Sequence, residues 1–255
     1  METLWFPKKA ADVLEDNYLA TYERDLSEFF SQLVRFNTNI FILDKLVSFP
    51  FDLFGDHDGD IFFSMVAMNS FETCILLIYK ILRDSDDTTY SIQRFRNDIA
   101  RHVKPLYETE YKVHLKRSKI ERKAEGLLEK ADYVRNNRIA HLNKTTDLSH
   151  PGVPTINLGE IHQIQKGLNS LFKSIGFESD YILLPIPYDP SVSHPVGSDN
   201  RADIERILDR IARESPLLNL PESNPLLWKS YRQRVKQHDL ERLNLYRQRF
   251  NMTLV

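Results

Sequence analysis

The segment YVRNNRIAHLNK, residues 133–144, gathers side chains suited to phosphate chemistry. Arg135 stands six positions before His141, and Asn136 directly follows the arginine. Histidine can both donate and accept protons near neutrality because its unperturbed pKa is about 6.5. Arginine carries a permanent charge and forked donors that match a phosphate, and an amide can orient either partner. These three residues are therefore the candidate catalytic group.

Cleavage of an RNA strand without a metal ion requires three operations that such residues can perform. A 2′-hydroxyl loses a proton, a pentacoordinate phosphorane is stabilised, and the leaving 5′-oxygen gains a proton. The eight histidines are scattered, and the sequence contains neither HExxH nor a paired Cys/His spacing, which disfavours a metal hydrolase. We therefore expect no metal and no cofactor. Arg138 and Asn137 are candidate RNA-binding residues, with a solvated helix end as the alternative interpretation of the segment.

The same arginine-to-histidine spacing occurs twice more, at Arg96 with His102 and at Arg232 with His238. The first of these pairs even repeats the asparagine after the arginine. We favour the pair at 135 and 141 because it closes a long charged helix and precedes a loop. The pair at 96 and 102 lies on a short helix whose apolar stripe predicts packing, with its charges in solvent.

The geometry of a helix bears on how Arg135 and His141 could cooperate. In an uninterrupted α-helix the two residues lie about 9 Å apart along the axis and about 120° apart around it, so they do not share a face. One protomer therefore presents a poor catalytic pair. Two copies that meet across a two-fold axis could instead bring two arginines and two histidines together.

The motif and its surroundings resemble the HEPN superfamily, whose ribonucleases are helical bundles with an Arg, four to six residues, then His. The residues RN followed shortly by AHL resemble its AbiU-type abortive-infection branch. The upstream layout is also similar to that branch, because an apolar helix runs into YKILRDSDDTTYSIQRF in the order helix, Asp, loop, Ser, helix. The resemblance covers roughly residues 10–175. It implies an obligate homodimer whose composite cleft lies across the motif helix.

The activity implied by this resemblance is a metal-independent endoribonuclease that leaves 2′,3′-cyclic phosphate and 5′-hydroxyl ends. Its role would be phage defence or toxin-like growth inhibition, with RNA as substrate and an antitoxin or defence-system protein as a further partner. The alternative is a non-catalytic helical module of the same architecture that binds a nucleic acid or a partner protein.

Composition and periodicity predict an all-α chain. Only 8 glycines occur in 255 residues, and apolar residues recur every three or four positions, which favours helices over strands. We predict a HEPN-type helical bundle over 1–176, a proline-containing connector over 177–198, and a helical C-terminal extension over 199–255. Ser91 is a predicted helix N-cap, and Asn157 with Glu160 forms a capping-box pattern.

Two further features concern location and the single cysteine. The run 60–82 is apolar nearly all round and predicts a buried central helix rather than a membrane span. Cys74 lies within this run, so we expect its thiol to be buried and inert rather than a nucleophile. The N-terminus has no secretory pattern. We expect a cytoplasmic protein without a membrane partner.

The aspartates at 56, 58 and 60 match the first ligand positions of an EF-hand. However, Ile61 replaces the required glycine and Ala67 replaces the bidentate glutamate, which disfavours calcium binding.

The C-terminal segment WKSYRQRVKQHDLERLNLYRQRF, residues 228–250, interleaves basic and aromatic residues. Such a pattern can bind RNA through phosphate attraction and base stacking. An amphipathic helix docked on the core is the favoured interpretation, and RNA binding is the alternative.

Overall fold

The computed structural model describes six stretches of the chain: 5–54, 57–82, 91–116, 121–139, 155–178 and 203–255. Within these stretches 81% of the residues are helical and no strand is present, which confirms the all-α prediction. The helices are α1 Ala10–Val13, α2 Leu19–Ser48, α3 Phe51–Phe54, α4 His57–Leu82, α5 Ile92–Arg101, α6 Glu108–Lys116, α7 Glu121–Val134, α8 Leu158–Ile175, α9 Asp203–Glu214, α10 Pro216–Ser223, α11 Pro225–Arg232 and α12 Gln237–Arg249.

The chain divides into two compact units. We call the first, Met1–Phe41 with Ser70–Pro187, the motif unit, and the second, Ile42–Asn69 with Tyr188–Val255, the C-terminal unit. This division differs from the linear boundaries expected from the sequence, because residues 42–69 group with the C-terminal helices. The reason is a shared apolar core, in which Phe49 and Phe54 pack with residues such as Leu218 and Leu243.

The core of the motif unit forms along the predicted periodic stripes. The buried residues of α2 recur every three or four positions, and the inward face of α5 meets them through stacked rings of Phe29 and Phe95, whose centroids are 5.2 Å apart. Phe177, the first residue of the predicted connector, also belongs to this core. Residues 179–198 of the connector lie outside the described residues.

Local capping signals start two helices of the motif unit as the sequence predicts. The Ser91 hydroxyl accepts a hydrogen bond from the Arg94 backbone N–H, and Asn157 with Glu160 forms a complete capping box. Glu160 also pairs with Lys130, which ties α8 to α7. α7 is the helix that leads into the candidate motif, so this ion pair helps to position it.

The Lys130 ammonium and the Asn157 backbone N–H hold the pKa of Glu160 below its ordinary value. A depressed folded-state pKa contributes stability that is present above the ordinary glutamate pKa of about 4.3 and is lost as pH falls through the folded value. We therefore expect Glu160→Gln to lower the free energy of unfolding at neutral pH, and we expect the difference from wild type to shrink as the pH becomes acidic. Urea unfolding across pH checks this, with Glu108→Gln, from an exposed ion pair, as control. A difference that does not vary with pH would contradict it.

Helix α4 corrects the expectation of a helix buried all round. Its second half buries one face, on which Cys74 is fully buried as predicted, but in its first half Ile61 is 66% and Phe62 is 61% exposed. Over Ile61–Leu82 the helix is long and apolar enough to cross a membrane by length and composition, with 28% of that stretch buried. An apolar run in sequence does not reveal which of its faces other elements will cover.

The C-terminal extension predicted over 199–255 is helical, with α9, α10, α11 and α12 among its described residues. Pro216 and Pro225 each occupy the first position of a new helix, where the missing N–H is no loss, and a turn separates α11 from α12. The aromatic residues of the C-terminal segment pack into the core of the C-terminal unit, with Trp228 buried and Tyr246 against Phe54. Core packing of these aromatics agrees with the favoured amphipathic interpretation.

A buried arginine secures the end of α12. The Arg247 side chain is fully buried, donates to the backbone oxygens of Leu218 and Thr253, and pairs with Glu222. Asn251 adopts a left-handed conformation with φ 57°, which ends the helix and lets the Met252 N–H donate to the Arg247 oxygen at 2.8 Å. The guanidinium therefore joins three segments of the unit.

Candidate functional site

The candidate motif begins on a π-helical turn, Arg135–Ile139, that directly continues α7. The assumption of an uninterrupted α-helix is therefore wrong for these residues. The Asn137 side-chain amide donates to the Tyr133 backbone oxygen, four residues earlier, at 2.9 Å. π-helical turns are rare and occur frequently at functional sites.

Two contacts hold the guanidinium of Arg135. Its central carbon lies 3.9 Å from the centroid of the Tyr79 ring, a cation–π geometry, and its Nη1 donates to Asn136 Oδ1 at 2.8 Å. The flanking side chains Ala131 and Val134 are buried, which fixes this end of α7 against the core of the motif unit. Arg135 is partly exposed and Asn136 is exposed, so a ligand in solvent can reach both.

The structure thus brings together two of the three predicted catalytic residues. His141 lies outside the described residues, as does the side chain of Arg138. Asn137, predicted to contact RNA, uses an amide hydrogen to bond the backbone of its own helix. The distance from Arg135 to His141, and the association of two copies, stay predictions from the sequence.

Sequence reasoning missed Tyr79. This residue lies in the last turn of α4, far from the motif along the chain, and its type and spacing carried no signal of a role there. The contact arises because the end of α4 and the start of the π-helical turn meet in the motif unit. An aromatic face in contact with one face of a guanidinium leaves the in-plane N–H donors of the arginine directed elsewhere.

The second arginine and histidine pair serves packing, as predicted, but its charge is not in solvent. Arg96 is buried and its Nη2 donates to the Leu115 oxygen at 2.9 Å. The His102 ring stacks on Tyr18 with centroids 4.1 Å apart, and its Nδ1 lies 2.8 Å from the Asp98 oxygen. The prediction of solvated charges was wrong for Arg96 because a buried guanidinium here bonds a backbone carbonyl of the neighbouring helix.

A cavity of about 650 Å³ lies elsewhere in the motif unit, along α2, and no motif residue lines it; its lining is Arg24, Asp25, Ser27, Glu28 and Ser31. Burial raises the pKa of the Asp25 carboxyl above its ordinary value, and the hydrogen bond that Arg24 donates at 3.0 Å offsets only part of this rise. Arg24 and Asp25 therefore form an ion pair with each other on α2.

The acidic segment considered for calcium has a different backbone from an EF-hand loop. α4 already begins at His57, so residues 58 and 60 are helical rather than part of a ligand loop. Among the described residues, no group of three or more His, Cys, Asp or Glu side chains is arranged to hold a metal ion.

No family model matches this chain, and neither a curated protein nor a solved structure matches it. The HEPN resemblance therefore rests on the motif and on the order of the elements around it.

Proposed function

We propose that this chain is a metal-independent endoribonuclease of the HEPN type that acts as a homodimer. The observation that carries the proposal is the partly exposed Arg135 guanidinium, which contacts Tyr79 and Asn136 at a π-helical turn in the motif predicted from the sequence. A guanidinium whose orientation is already fixed is suited to bind a phosphate, because little conformational entropy is lost when the ligand binds.

Each residue has a role in this reaction. His141 transfers protons between the 2′-hydroxyl, itself and the leaving 5′-oxygen, Arg135 stabilises the charge on the phosphorane, and Asn136 orients the guanidinium through its side-chain oxygen. The products are a 2′,3′-cyclic phosphate and a 5′-hydroxyl. Arg138 and Asn137 flank the phosphate site in this scheme. The role in phage defence or as a toxin in the cytoplasm, with an antitoxin or defence-system partner, follows from the resemblance.

The test is incubation of the purified full chain with RNA in EDTA, followed by analysis of the new ends. We expect cleavage that persists with chelator and yields cyclic phosphate ends. Activity that disappears with chelator, or that survives both Arg135→Ala and His141→Ala, would defeat the assignment. RNA that is bound but never cleaved would favour the non-catalytic module.

Tyr79 is a positioning residue in this proposal, since it contacts Arg135 rather than the substrate. A partly solvated cation–π contact contributes about 0.5–1 kcal/mol, so we expect Tyr79→Leu to lower kcat/KM about two- to fivefold. Tyr79→Phe keeps the ring face and should retain near wild-type activity. Single-turnover cleavage of RNA in EDTA measures both variants.

A double-mutant cycle separates positioning from a general effect on folding. The loss caused by Tyr79→Leu should vanish in an Arg135→Ala background, because no guanidinium remains to be oriented. An equal loss in both backgrounds, or equal losses for Tyr79→Phe and Tyr79→Leu, would show that the ring face does not act through Arg135.

A further inference from the structure

The second half of α11 and the turn that follows it carry a concentrated positive charge. Lys229, Arg232, Arg234 and Lys236 are all exposed, and we call these four residues the basic turn. The ten residues 229–238, KSYRQRVKQH, include no aspartate or glutamate. Because the whole chain has a formal net charge of -2, this is a local segregation of charge rather than a basic protein.

Several other cations of the C-terminal unit pair with carboxylates. Arg242 forms two hydrogen bonds to Asp52, at 2.6 and 2.8 Å, and Arg249 pairs with Asp209 at 2.9 Å. Lys45 pairs with Glu205 at 2.6 Å. Across the described ranges, by contrast, no carboxylate lies within ion-pair distance of any member of the basic turn. Among the described residues these four charges therefore face solvent, where an external anion can reach them.

The backbone that carries these charges is held by a helix cap, a buried tryptophan and turn hydrogen bonds. Asn224 caps α11 by accepting from the Leu227 N–H at 3.0 Å, and Trp228 is buried in the core of the unit. After α11 ends, the N–H groups of residues 234 and 235 both donate to the Tyr231 oxygen, at 2.9 and 3.0 Å. The cations are thus presented on an ordered turn, which reduces the entropy lost on binding.

We infer that the basic turn binds the phosphodiester backbone of single-stranded RNA. Four exposed cations without intervening carboxylates complement the charge of a phosphate backbone, and such contacts release condensed counterions. An anionic membrane surface fits less well. α11 has eight residues, and its Trp228 is already buried in the unit, which leaves Leu226 and Leu227 as the exposed apolar residues of that helix.

This surface is independent of cleavage, and its test uses a strand that the proposed reaction cannot cut. Binding of labelled 2′-O-methyl oligouridine to the full chain is measured by fluorescence anisotropy over a range of salt concentrations. The variant is Arg232→Gln with Arg234→Gln. The matched control, Arg206→Gln with Arg210→Gln, removes the same charge from the same unit, at arginines paired with Asp203 and Glu214.

Each phosphate contact contributes about 0.7 to the slope of log K against log salt for a single strand, so we expect the variant to reduce that slope by about 1.4. Affinity near 0.1 M salt should fall about tenfold or more for the variant and stay near wild type for the control. Equal effects of the two double variants would overturn the inference. The inference would also be overturned if the variant, but not the control, lost binding to phosphatidylserine vesicles while its RNA binding stayed unchanged.

Discussion

Replacing His141 by alanine is expected to slow RNA cleavage in EDTA by about 10²- to 10⁴-fold, the contribution typical of positioned acid–base catalysis. Arg135→Ala should slow it by about 10²- to 10³-fold, because the phosphorane loses its principal electrostatic partner. Both losses should appear in kcat, since each group interacts more strongly with the transition state than with the bound substrate. Initial rates under saturating RNA measure them.

The matched control is His238→Ala, which removes an exposed histidine that follows an arginine at the same spacing. Wild-type activity is expected for this protein. Asn136→Ala should be intermediate between the control and Arg135→Ala, because it releases the guanidinium from one of its two contacts and leaves the contact with Tyr79 in place. If His238→Ala and His141→Ala reduce the rate equally, the motif is not the active site.

Mixing the two inactive proteins tests whether the cleft is shared between protomers. A heterodimer of an Arg135→Ala chain with a His141→Ala chain still holds one intact arginine and one intact histidine at a two-fold interface. We expect mixing, after dissociation and reassociation, to restore measurable cleavage that neither homodimer shows. Monomeric behaviour of the wild-type chain at the concentrations of the assay would contradict the proposed assembly.

Arg247→Ala is expected to lower the free energy of unfolding of the C-terminal unit by about 3 kcal/mol. The substitution leaves the buried Leu218 oxygen without its donor, and a buried polar group without a partner costs about 1–3 kcal/mol. The Thr253 oxygen also loses its donor, but Thr253 is exposed, so this oxygen regains water. The void left by the fully buried side chain adds to this cost. Glu222 is half-exposed and regains water, so it contributes little to the loss.

Urea unfolding of the full chain, followed by the fluorescence of Trp228 in a Trp5→Phe background, reports on the unit that contains Arg247. Arg210→Ala is the control, since this arginine belongs to an exposed pair with Glu214, and its loss should leave the stability close to that of the wild type. Equal effects of Arg247→Ala and Arg210→Ala would show that the buried hydrogen bonds do not hold the end of α12. A second variant, Arg247→Met, preserves volume and isolates the polar contribution.

The pKa of the Glu222 carboxyl adds a check on the same pair. The Arg247 guanidinium holds this pKa below its ordinary value, and the resulting stability is present above the ordinary value and lost as pH falls through the depressed one. The exposure of Glu222 keeps this contribution small beside the loss of the buried hydrogen bonds.

Local patterns determined much of the fold from the sequence alone. The all-α class, the Ser91 cap, the capping box at Asn157 and Glu160, and the burial of Cys74 were all predicted and are all observed. These features depend on residues within one or two helical turns, where hydrogen-bond geometry and side-chain periodicity leave few alternatives. The motif residues Arg135 and Asn136 were likewise visible as neighbours in the chain.

Tertiary structure decided which of these residues meet. The ring of Tyr79 beneath Arg135, the burial of Arg96, the exposed first half of α4 and the grouping of residues 42–69 with the C-terminal helices had no signal in local sequence. Each depends on which faces of distant elements cover one another, and the same periodic stripe can be satisfied by several partners. The sequence therefore determined the all-α class and which motif residues are neighbours along the chain, whereas packing between helices determined how the arginine is held and which charges face solvent.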